Sequence, residues 1–577
     1  KFAGLNGNLN SGGDSQGGTN LSGQVNYRTT SFNSFVNLGM NERKRISSGN
    51  SLRTMEFANF NNSLNQDSES NSGGPNLFIK TGFEYFIDPS QSLAISTTLS
   101  NGTRENDGQT YTLDSGPGER KFIRTTSGNN DRNGYDVNLN YDKKFKNPKQ
   151  KLTSYARYSD GLNDGLNEYY NTDNGGSDYV DLDRATNGQD GTSSGFDFKL
   201  DYAHPFSDDS KLEVGLSSKS TDRGDTQIAE IFNEATNSFV SDREFSNEFV
   251  YNETVHAAYL QYGGSIGFFG INAGGRYETV DMLSELKTTN ETFKNPYSSF
   301  YPSLSVSFGA PQLLQIQTSY SKRVNRPRSR MLNPFSSRQD NKNLRVGNPF
   351  LKPEYTDSYE INFSRFSRGL SLSLGGYYRH TTDKMQRHKE MRADGVSVAT
   401  YANITDQKTQ GIDYSVVGSL GKKLRLMFSG SVFWDEINTE LYGSDYDNTS
   451  QGQRLRFTTM WNMNPTTEFS FFMFYMPARD IAIGKMDAMS FSSMSLKKKF
   501  MEERFNLTLN VSDPFNLSGF SFYTEGDNWQ QQSSRNWSSR TVRLTLEYRF
   551  GKMEDKSRYS RQRGEGMDME EGAGEIF

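Results

Sequence analysis

The feature that most constrains this chain is an alternation of apolar and polar side chains with a period of two. From Tyr135 to Asp142, aromatic and aliphatic residues alternate with aspartate and asparagine. The same alternation recurs at Phe196–Tyr202, Leu370–Arg379, Phe505–Val511 and Val542–Phe550. Successive side chains of a β-strand point to opposite faces, so the pattern indicates strands with one apolar face. A soluble β-sandwich would show the same alternation, and other features must separate the two folds.

The composition favours a membrane barrel over a disordered chain. Only 33% of the 577 residues are hydrophobic and the mean hydropathy is -0.79, which would suit disorder. However, aromatic residues make up 13% of the chain, and disordered chains contain few of them. A transmembrane barrel accounts for both facts because each strand needs only one apolar face. No run of about 18 apolar residues occurs, which excludes a transmembrane helix.

Short turns punctuate the sequence at regular intervals of roughly 40–60 residues, the length of two strands and one long loop. Ten such turns are predicted at Thr29–Ser31, Asp88–Ser90, Asn147–Lys149, Ser207–Ser210, Gly264–Gly267, Ala310–Gln312, Arg368–Gly369, Gly421–Lys422, Asn464–Thr466 and Met501–Glu503. Many of them carry Pro, Gly, Asn or Asp, as turns require. With both termini on the same side, ten turns imply about 22 strands, the size class of plugged transporters.

The connections are sorted by length in the way typical of outer-membrane barrels. Long polar stretches lie between the short turns, at Tyr170–Ser194, Ser284–Ser298, Arg326–Tyr355 and Leu441–Gln451. Outer-membrane barrels have short periplasmic turns and long extracellular loops. A soluble sandwich seldom sorts its loops between its two ends in this way.

Aromatic residues precede many of the short turns, as in a membrane-interface belt. These residues are Phe86, Phe145, Phe206, Phe308, Phe366, Trp461 and Phe500. The sequence therefore predicts an all-β fold, a transmembrane antiparallel up-and-down β-barrel of about 22 strands over residues 1–552. Residues 553–577 are charged and rich in glycine without alternation, and we expect a disordered periplasmic tail there.

One block of residues resembles a known family. It begins with Tyr320–Pro327 (YSKRVNRP), continues through Leu332–Phe335 (LNPF) and Asn343–Pro349 (NLRVGNP), and ends at Leu351–Thr356 (LKPEYT). This run is similar to one in the barrel of TonB-dependent outer-membrane receptors, in particular the large barrel family of the Bacteroidetes type. The closing stretch Arg543–Lys552 (RLTLEYRFGK) resembles the ending of that family. The block covers about 40 residues, whereas the likeness in strand layout spans nearly the whole chain.

The resemblance implies a receptor and transporter in the bacterial outer membrane. Such a protein would take up a scarce nutrient, such as an iron chelate, an oligosaccharide or a peptide, from the extracellular side. A TonB-type energy-transducing protein in the periplasm would act on a plug domain. Nothing in this sequence resembles a plug or a TonB box. Either these parts lie upstream of Lys1, which we expect, or this barrel has none. Membrane lipid and lipopolysaccharide are expected partners, with a surface lipoprotein as a further candidate.

The residues offer little chemistry for an enzyme. The chain has no Cys and only four His, and His380 and His388 are not spaced as metal ligands. No nucleophile or phosphate-binding motif stands in a supporting context, so we predict no catalytic residues, no cofactor and no resident metal. The net charge of -5 argues against a nucleic-acid partner. The aspartate-rich stretch 171–193 is either a calcium-binding loop or a solvated one.

The loop between Arg326 and Tyr355 is strongly basic although the protein as a whole is acidic. Guanidinium groups pair with carboxylate or phosphate, so such a loop could gather an anionic ligand. The candidate ligand-binding residues are Arg326, Arg328, Arg330, Asn333, Arg345 and Asn348. The alternative is that some of these arginines brace the loop, or contact the plug or lipopolysaccharide phosphate.

Charged residues on the polar faces of the strands indicate a wet or plug-filled interior. They are Asp136, Asp197, Lys199, Arg543, Glu547 and Arg549. Lipid-exposed basic residues would each cost about 2–4 kcal/mol at the middle of the membrane. The sequence leaves open a passive porin-like channel and a non-transporting barrel scaffold for surface partners. It does not identify the ligand.

Overall fold

We analysed a computed structural model of the chain. It describes residues 4–57, 60–115, 119–173, 181–310, 314–335, 337–340, 342–392, 395–439, 446–481, 484–526, 528–537 and 540–551. The tail expected at 553–577 lies outside the described residues, so its disorder stays a prediction. Within the described ranges, no helix is both long and apolar enough to cross a membrane.

Twenty-two strands form the wall of the molecule. In chain order they are β1 Gly4–Asp14, β2 Thr19–Arg28, β3 Phe32–Phe57, β4 Phe60–Asp88, β5 Gln91–Asp114, β6 Arg120–Lys144, β7 Lys151–Asp173, β8 Asp181–Pro205, β9 Ser210–Asn233, β10 Asn247–Ile266, β11 Phe269–Leu286, β12 Tyr297–Ala310, β13 Leu314–Asn325, β14 Glu354–Ser367, β15 Leu370–Met391, β16 Ser397–Leu420, β17 Leu424–Thr439, β18 Tyr446–Asn464, β19 Thr467–Met476, β20 Met489–Phe500, β21 Phe505–Ser512 and β22 Thr541–Gly551.

The wall is a closed antiparallel barrel. Each strand pairs with the next along the chain, and β22 pairs with β1 through Asn6↔Gly551 to Asp14↔Arg543. The predicted up-and-down barrel and its strand number are therefore confirmed. Closure satisfies the backbone groups that an open sheet edge would leave unpaired inside the membrane.

Alternation along the strands divides apolar from polar side chains as the sequence predicts. In β6, Tyr135 and Leu139 are exposed on the outer face, while Asp136 and Asn138 point to the interior side. The apolar residues of Leu370–Tyr378 and Val542–Leu546 are likewise exposed on the outside. This outer band is the surface that meets lipid, and the lumen is lined by polar groups.

The ten short turns join consecutive strands at one end of the barrel. One of them differs in position from the prediction, because the chain turns at Gly267–Phe268 and not at Gly264–Gly267. Gly264 remains in β10, opposite Ile271, and Gly267 adopts a left-handed conformation (φ 61°) that allows the tight turn. The turn predicted at Ala310–Gln312 falls mainly on residues outside those described.

The strands β3 to β9 are longer than a membrane requires. They contain between 23 and 29 residues, whereas a tilted transmembrane strand needs about 9–11. The sequence interpretation of Tyr170–Ser194 as one long loop was wrong at both ends, because Tyr170–Asp173 lies in β7 and Asp181–Ser194 lies in β8. In Gly188–Ser194 both faces carry polar residues or glycine, so the alternation that marks a lipid-facing strand is missing.

Short elements occupy the extracellular connections. The helix α1 is Ser329–Leu332, and the short strands are Ser238–Ser241, Glu291–Lys294, Ser337–Asp340, Asn343–Arg345, Arg479–Ile481, Gly484–Met486, Gly519–Gly526 and Trp529–Trp537. The strand Trp529–Trp537 pairs with β3, and Gly519–Gly526 pairs with Gly484–Met486. The connections therefore extend the wall above the barrel.

Candidate ligand site at the extracellular mouth

The connection from β13 to β14, which we call the mouth loop (residues 326–353), folds against the inner face of the barrel. Its Leu332 and Leu351 are fully buried in an apolar cluster with wall residues. The wall contributes Phe249 and Tyr251 of β10 and Met282 and Leu286 of β11. Full burial of a leucine side chain stabilises by roughly 1.5–3 kcal/mol. This cluster holds the mouth loop inward.

The first residue of the mouth loop, Arg326, is anchored to the wall. Its guanidinium forms an ion pair with the buried carboxylate of Glu278 and donates to the Tyr297 hydroxyl at 2.6 Å. Arg276 approaches the same carboxylate at 2.6 Å. Burial by itself lowers the pKa of Arg326, but Tyr297 and Glu278 raise it above the ordinary arginine value. Arg326 is therefore a fully charged anchor at the base of the loop.

The two candidate asparagines shape the backbone of the loop. The Oδ1 atom of Asn333 accepts from the Phe335 amide at 3.1 Å, and its backbone oxygen accepts from the Gly347 amide at 2.8 Å. Asn348 donates to the Tyr401 backbone oxygen at 3.0 Å and accepts from the Phe350 amide at 2.9 Å. Asparagine favours such turns because its side chain mimics a backbone group.

A buried arginine on the far wall also contacts the mouth loop. Arg53 of β3 is only 2% exposed. It donates to Asn343 Oδ1 at 3.0 Å, to the Lys342 oxygen at 3.4 Å and to the Gly395 oxygen at 3.3 Å. Lys342 also forms a 2.9 Å ion pair with Asp114 of β5. These contacts join the loop to the side of the barrel opposite β13 and β14.

The register of the short strand Asn343–Arg345 places Arg345. This strand runs parallel to the start of β16, with Arg345 beside Ala399. On the other side of β16, Arg387 of β15 lies opposite Tyr401. Met385 and Tyr401 pack against the apolar cluster of the mouth, so the face of β15 that carries Arg387 is the inner one. The registers therefore bring Arg345 and Arg387 to neighbouring positions.

Other charged groups act on Arg345. Partial desolvation and then the charge of Arg387 lower the pKa of the Arg345 guanidinium, Tyr401 raises it in part, and Arg330 lowers it slightly. The group stays protonated at neutral pH because arginine begins from a value of 12.5. The arrangement holds like charges together, which favours an anion between them.

The structure thus separates the six predicted residues into two groups. Arg326, Asn333 and Asn348 hold or shape the loop, whereas Arg328 and Arg330 are exposed in or beside α1 and Arg345 is exposed on its short strand. Sequence reasoning missed Arg387. It lies 42 positions beyond Arg345 on a separate strand, and only the pairing of strands brings it near.

Other candidate chemistry does not assemble in the described part of the chain. No group of three or more His, Asp or Glu side chains there could hold a metal ion. In the stretch 171–193, residues 174–180 lie outside the described ranges, so calcium binding stays an untested prediction. His380 contacts Asp406 at 3.4 Å, on adjacent strands of the wall.

The family comparison gives a clear match. The model of the outer membrane protein beta-barrel family matches residues 143–548, well over half of the chain. No curated protein matches it significantly in sequence.

Solved structures share the fold at low sequence identity. The FrpB iron transporter from Neisseria meningitidis (F3-3 variant) is 14% identical with a TM-score of 0.59, over 95% of this chain and 82% of that one. The ferric yersiniabactin uptake receptor FyuA from Yersinia pestis is 12% identical with a TM-score of 0.61, over 96% and 81%. The copper transporter OprC is 12% identical with a TM-score of 0.65, over 95% and 81%. These structures are of transporters and receptors, and they show the same barrel architecture.

Proposed function

This chain belongs to the outer membrane protein beta-barrel family and lies in the bacterial outer membrane, and from this we propose that it is the barrel of a TonB-dependent uptake receptor. It binds a scarce nutrient at the extracellular mouth and releases it to the periplasm. The ligand is an iron chelate, an oligosaccharide or a peptide. No covalent chemistry takes place, so catalytic residues and a resident cofactor are not needed.

The observation that carries this proposal is the mouth loop itself. This loop is fastened inward to both walls and carries the exposed Arg330 and Arg345, as a binding surface at the mouth requires. Among the six predicted residues, we propose that Arg328, Arg330 and Arg345 face the ligand. Arg326, Asn333 and Asn348 hold the loop in the binding conformation.

The barrel requires partners for active transport. We propose that a plug domain upstream of residue 1 fills the lumen, and that a TonB-type protein pulls on the plug from the periplasm. The strands between Gly4 and Gly551 and the polar lumen form the housing for this plug. Membrane lipid and lipopolysaccharide surround the apolar outer band, and a surface lipoprotein could cover the tall extracellular wall of β3 to β9.

Energy dependence tests the proposal directly. A deletion strain and a complemented strain would be grown in defined medium, and the depletion of iron chelates, peptides and oligosaccharides from the medium would be measured. We expect one class to be depleted only by the complemented strain, and a protonophore to stop this depletion. Depletion that continues with the protonophore would favour a passive channel. No difference between the strains would favour a scaffold.

A further inference from the structure

We propose that Arg345 and Arg387 together form a binding site for an anionic group, a carboxylate or a phosphate, at the inner face of the mouth. The inference rests on the proposed function, because it names the chemical class of the nutrient taken up there. The sequence pattern predicts only Arg345 as a ligand-binding residue. The proposal depends on the charged groups around the two arginines.

Several cations around the mouth loop have partners among the described residues, and these two do not. The partnered cations include Arg326 with Glu278, Lys342 with Asp114, Lys384 with Glu354 and Lys389 with Gln531. Within the part of the chain that the structure describes, neither the Arg345 nor the Arg387 guanidinium has a hydrogen bond or an ion pair. A guanidinium carries five donors, and a pair without acceptors leaves them available to a ligand.

Strand pairing places the two residues at neighbouring positions on the same face. Arg345 lies beside Ala399, and Arg387 lies opposite Tyr401, two residues further along β16. The Val346 amide donates to the Ala399 oxygen at 3.0 Å and Asn348 donates to the Tyr401 oxygen at 3.0 Å, so the loop is tied to β16 at both points. A shift of the loop away from Arg387 would break both hydrogen bonds.

Two neighbouring like charges that have no counter-ion among the described residues suit a compact anion that both can contact. Arginine forks bind the two oxygens of a carboxylate or phosphate in parallel, which gives direction as well as attraction. Arg330 adds a third positive charge, and it directly precedes Met331, whose backbone oxygen accepts from the Asn348 amide at 2.7 Å. A neutral sugar would gain little from this arrangement, so the site favours an acidic nutrient or the acidic chelator of a metal.

The test measures anion binding by the native, full-length protein in detergent at low ionic strength. Citrate and inorganic phosphate are the probes, and calorimetry gives the dissociation constants. Arg345→Gln and Arg387→Gln would be compared with Arg368→Gln, which makes the same change in the exposed turn between β14 and β15. We expect saturable binding of at least one probe, weakened about tenfold or more by each mouth variant and unchanged by Arg368→Gln.

A labelling experiment tests the same site in the native protein, without any substitution. Phenylglyoxal modifies accessible arginines, and peptide mass spectrometry measures each site in the native protein. We expect the bound probe to protect Arg345 and Arg387 by at least several-fold and to leave Arg368 unprotected. Equal labelling with and without probe, or binding that both mouth variants retain, would overturn the site.

These outcomes are distinct from failure of the uptake proposal. If neither anion binds but the complemented strain still depletes a nutrient in an energy-dependent way, the uptake proposal is supported and the anion site is refuted. If the anions bind but deletion of the gene does not change the depletion of any nutrient, the anion site is supported and the uptake proposal is refuted.

Discussion

Arg53 of β3 donates a 3.0 Å hydrogen bond to Asn343 of the mouth loop. The loop is anchored at β13 and β14, ten or more strands away from β3 in a ring of 22. This contact therefore joins opposite walls of the barrel across its mouth. The guanidinium is nearly inaccessible to water, so its hydrogen bonds are made within the protein.

Removing this contact should loosen the mouth loop. Arg53→Met keeps most of the side-chain length but leaves the Asn343, Lys342 and Gly395 acceptors without this donor, at a cost of about 1–3 kcal/mol. We expect faster amide hydrogen exchange across residues 342–348, measured by mass spectrometry. Arg43→Met, an exposed position on the same strand, is the control. Equal exchange in both variants would mean that the contact does not restrain the loop.

The base of the loop should depend on Glu278. Glu278→Gln removes the charge that Arg326 and Arg276 share and leaves both guanidinium groups without their carboxylate. Breaking a buried ion pair on one side costs about 3–5 kcal/mol. We predict a clear fall in the unfolding temperature, read from heat-modifiable migration in gels. The control Glu248→Gln, at an exposed position, should unfold at the same temperature as the wild type. An equal fall in the unfolding temperature of both variants would contradict the role given to Glu278.

The apolar cluster should hold the loop inward. Leu351→Ala removes a fully buried side chain, which typically costs about 2–5 kcal/mol. We expect trypsin to cut at the loop arginines faster in this variant than in the wild type. The neighbouring Phe350 is 74% exposed, so Phe350→Ala should leave the cleavage rate almost unchanged. Similar rates for the two variants would show that the loop is held by other contacts.

The assignment of faces makes a prediction about membrane insertion. Leu139 lies on the outer face of β6 and Asn140 on the inner face. Leu139→Arg should cost about 2–4 kcal/mol near the middle of the bilayer, whereas Asn140→Arg enters a polar lumen. We expect folding into liposomes to be impaired only by Leu139→Arg. Impaired folding of Asn140→Arg with normal folding of Leu139→Arg would show that the outer and inner faces of β6 are assigned the wrong way round.

Much of the fold could be predicted because the membrane imposes a regular pattern. The alternation at Tyr135–Asp142 and the turn residues determine faces, turns and strand number. The extracellular extension of β8 could not be predicted in this way. In Gly188–Ser194 both faces carry polar residues or glycine, so no apolar periodicity marks the strand, and its pairing with β7 and β9 alone defines it.

The site was only partly predictable for a related reason. The basic residues of the mouth loop belong to one continuous stretch of sequence, so Arg330 and Arg345 could be selected together. Their neighbour Arg387 comes from β15, and the anchoring of Arg326 depends on Glu278 of β11. Such contacts follow from strand register and loop packing, which no local pattern encodes.

The central claim is energised transport through a plugged barrel, and the intact mass and N-terminal sequence of the native protein test it most directly. The protein would be extracted from outer membranes with detergent. We predict a mass well above the 65.3 kDa of this chain, with a plug-like segment ahead of Lys1. A native protein that starts at Lys1 would contradict the claim, because a TonB-type partner would have no plug to act on.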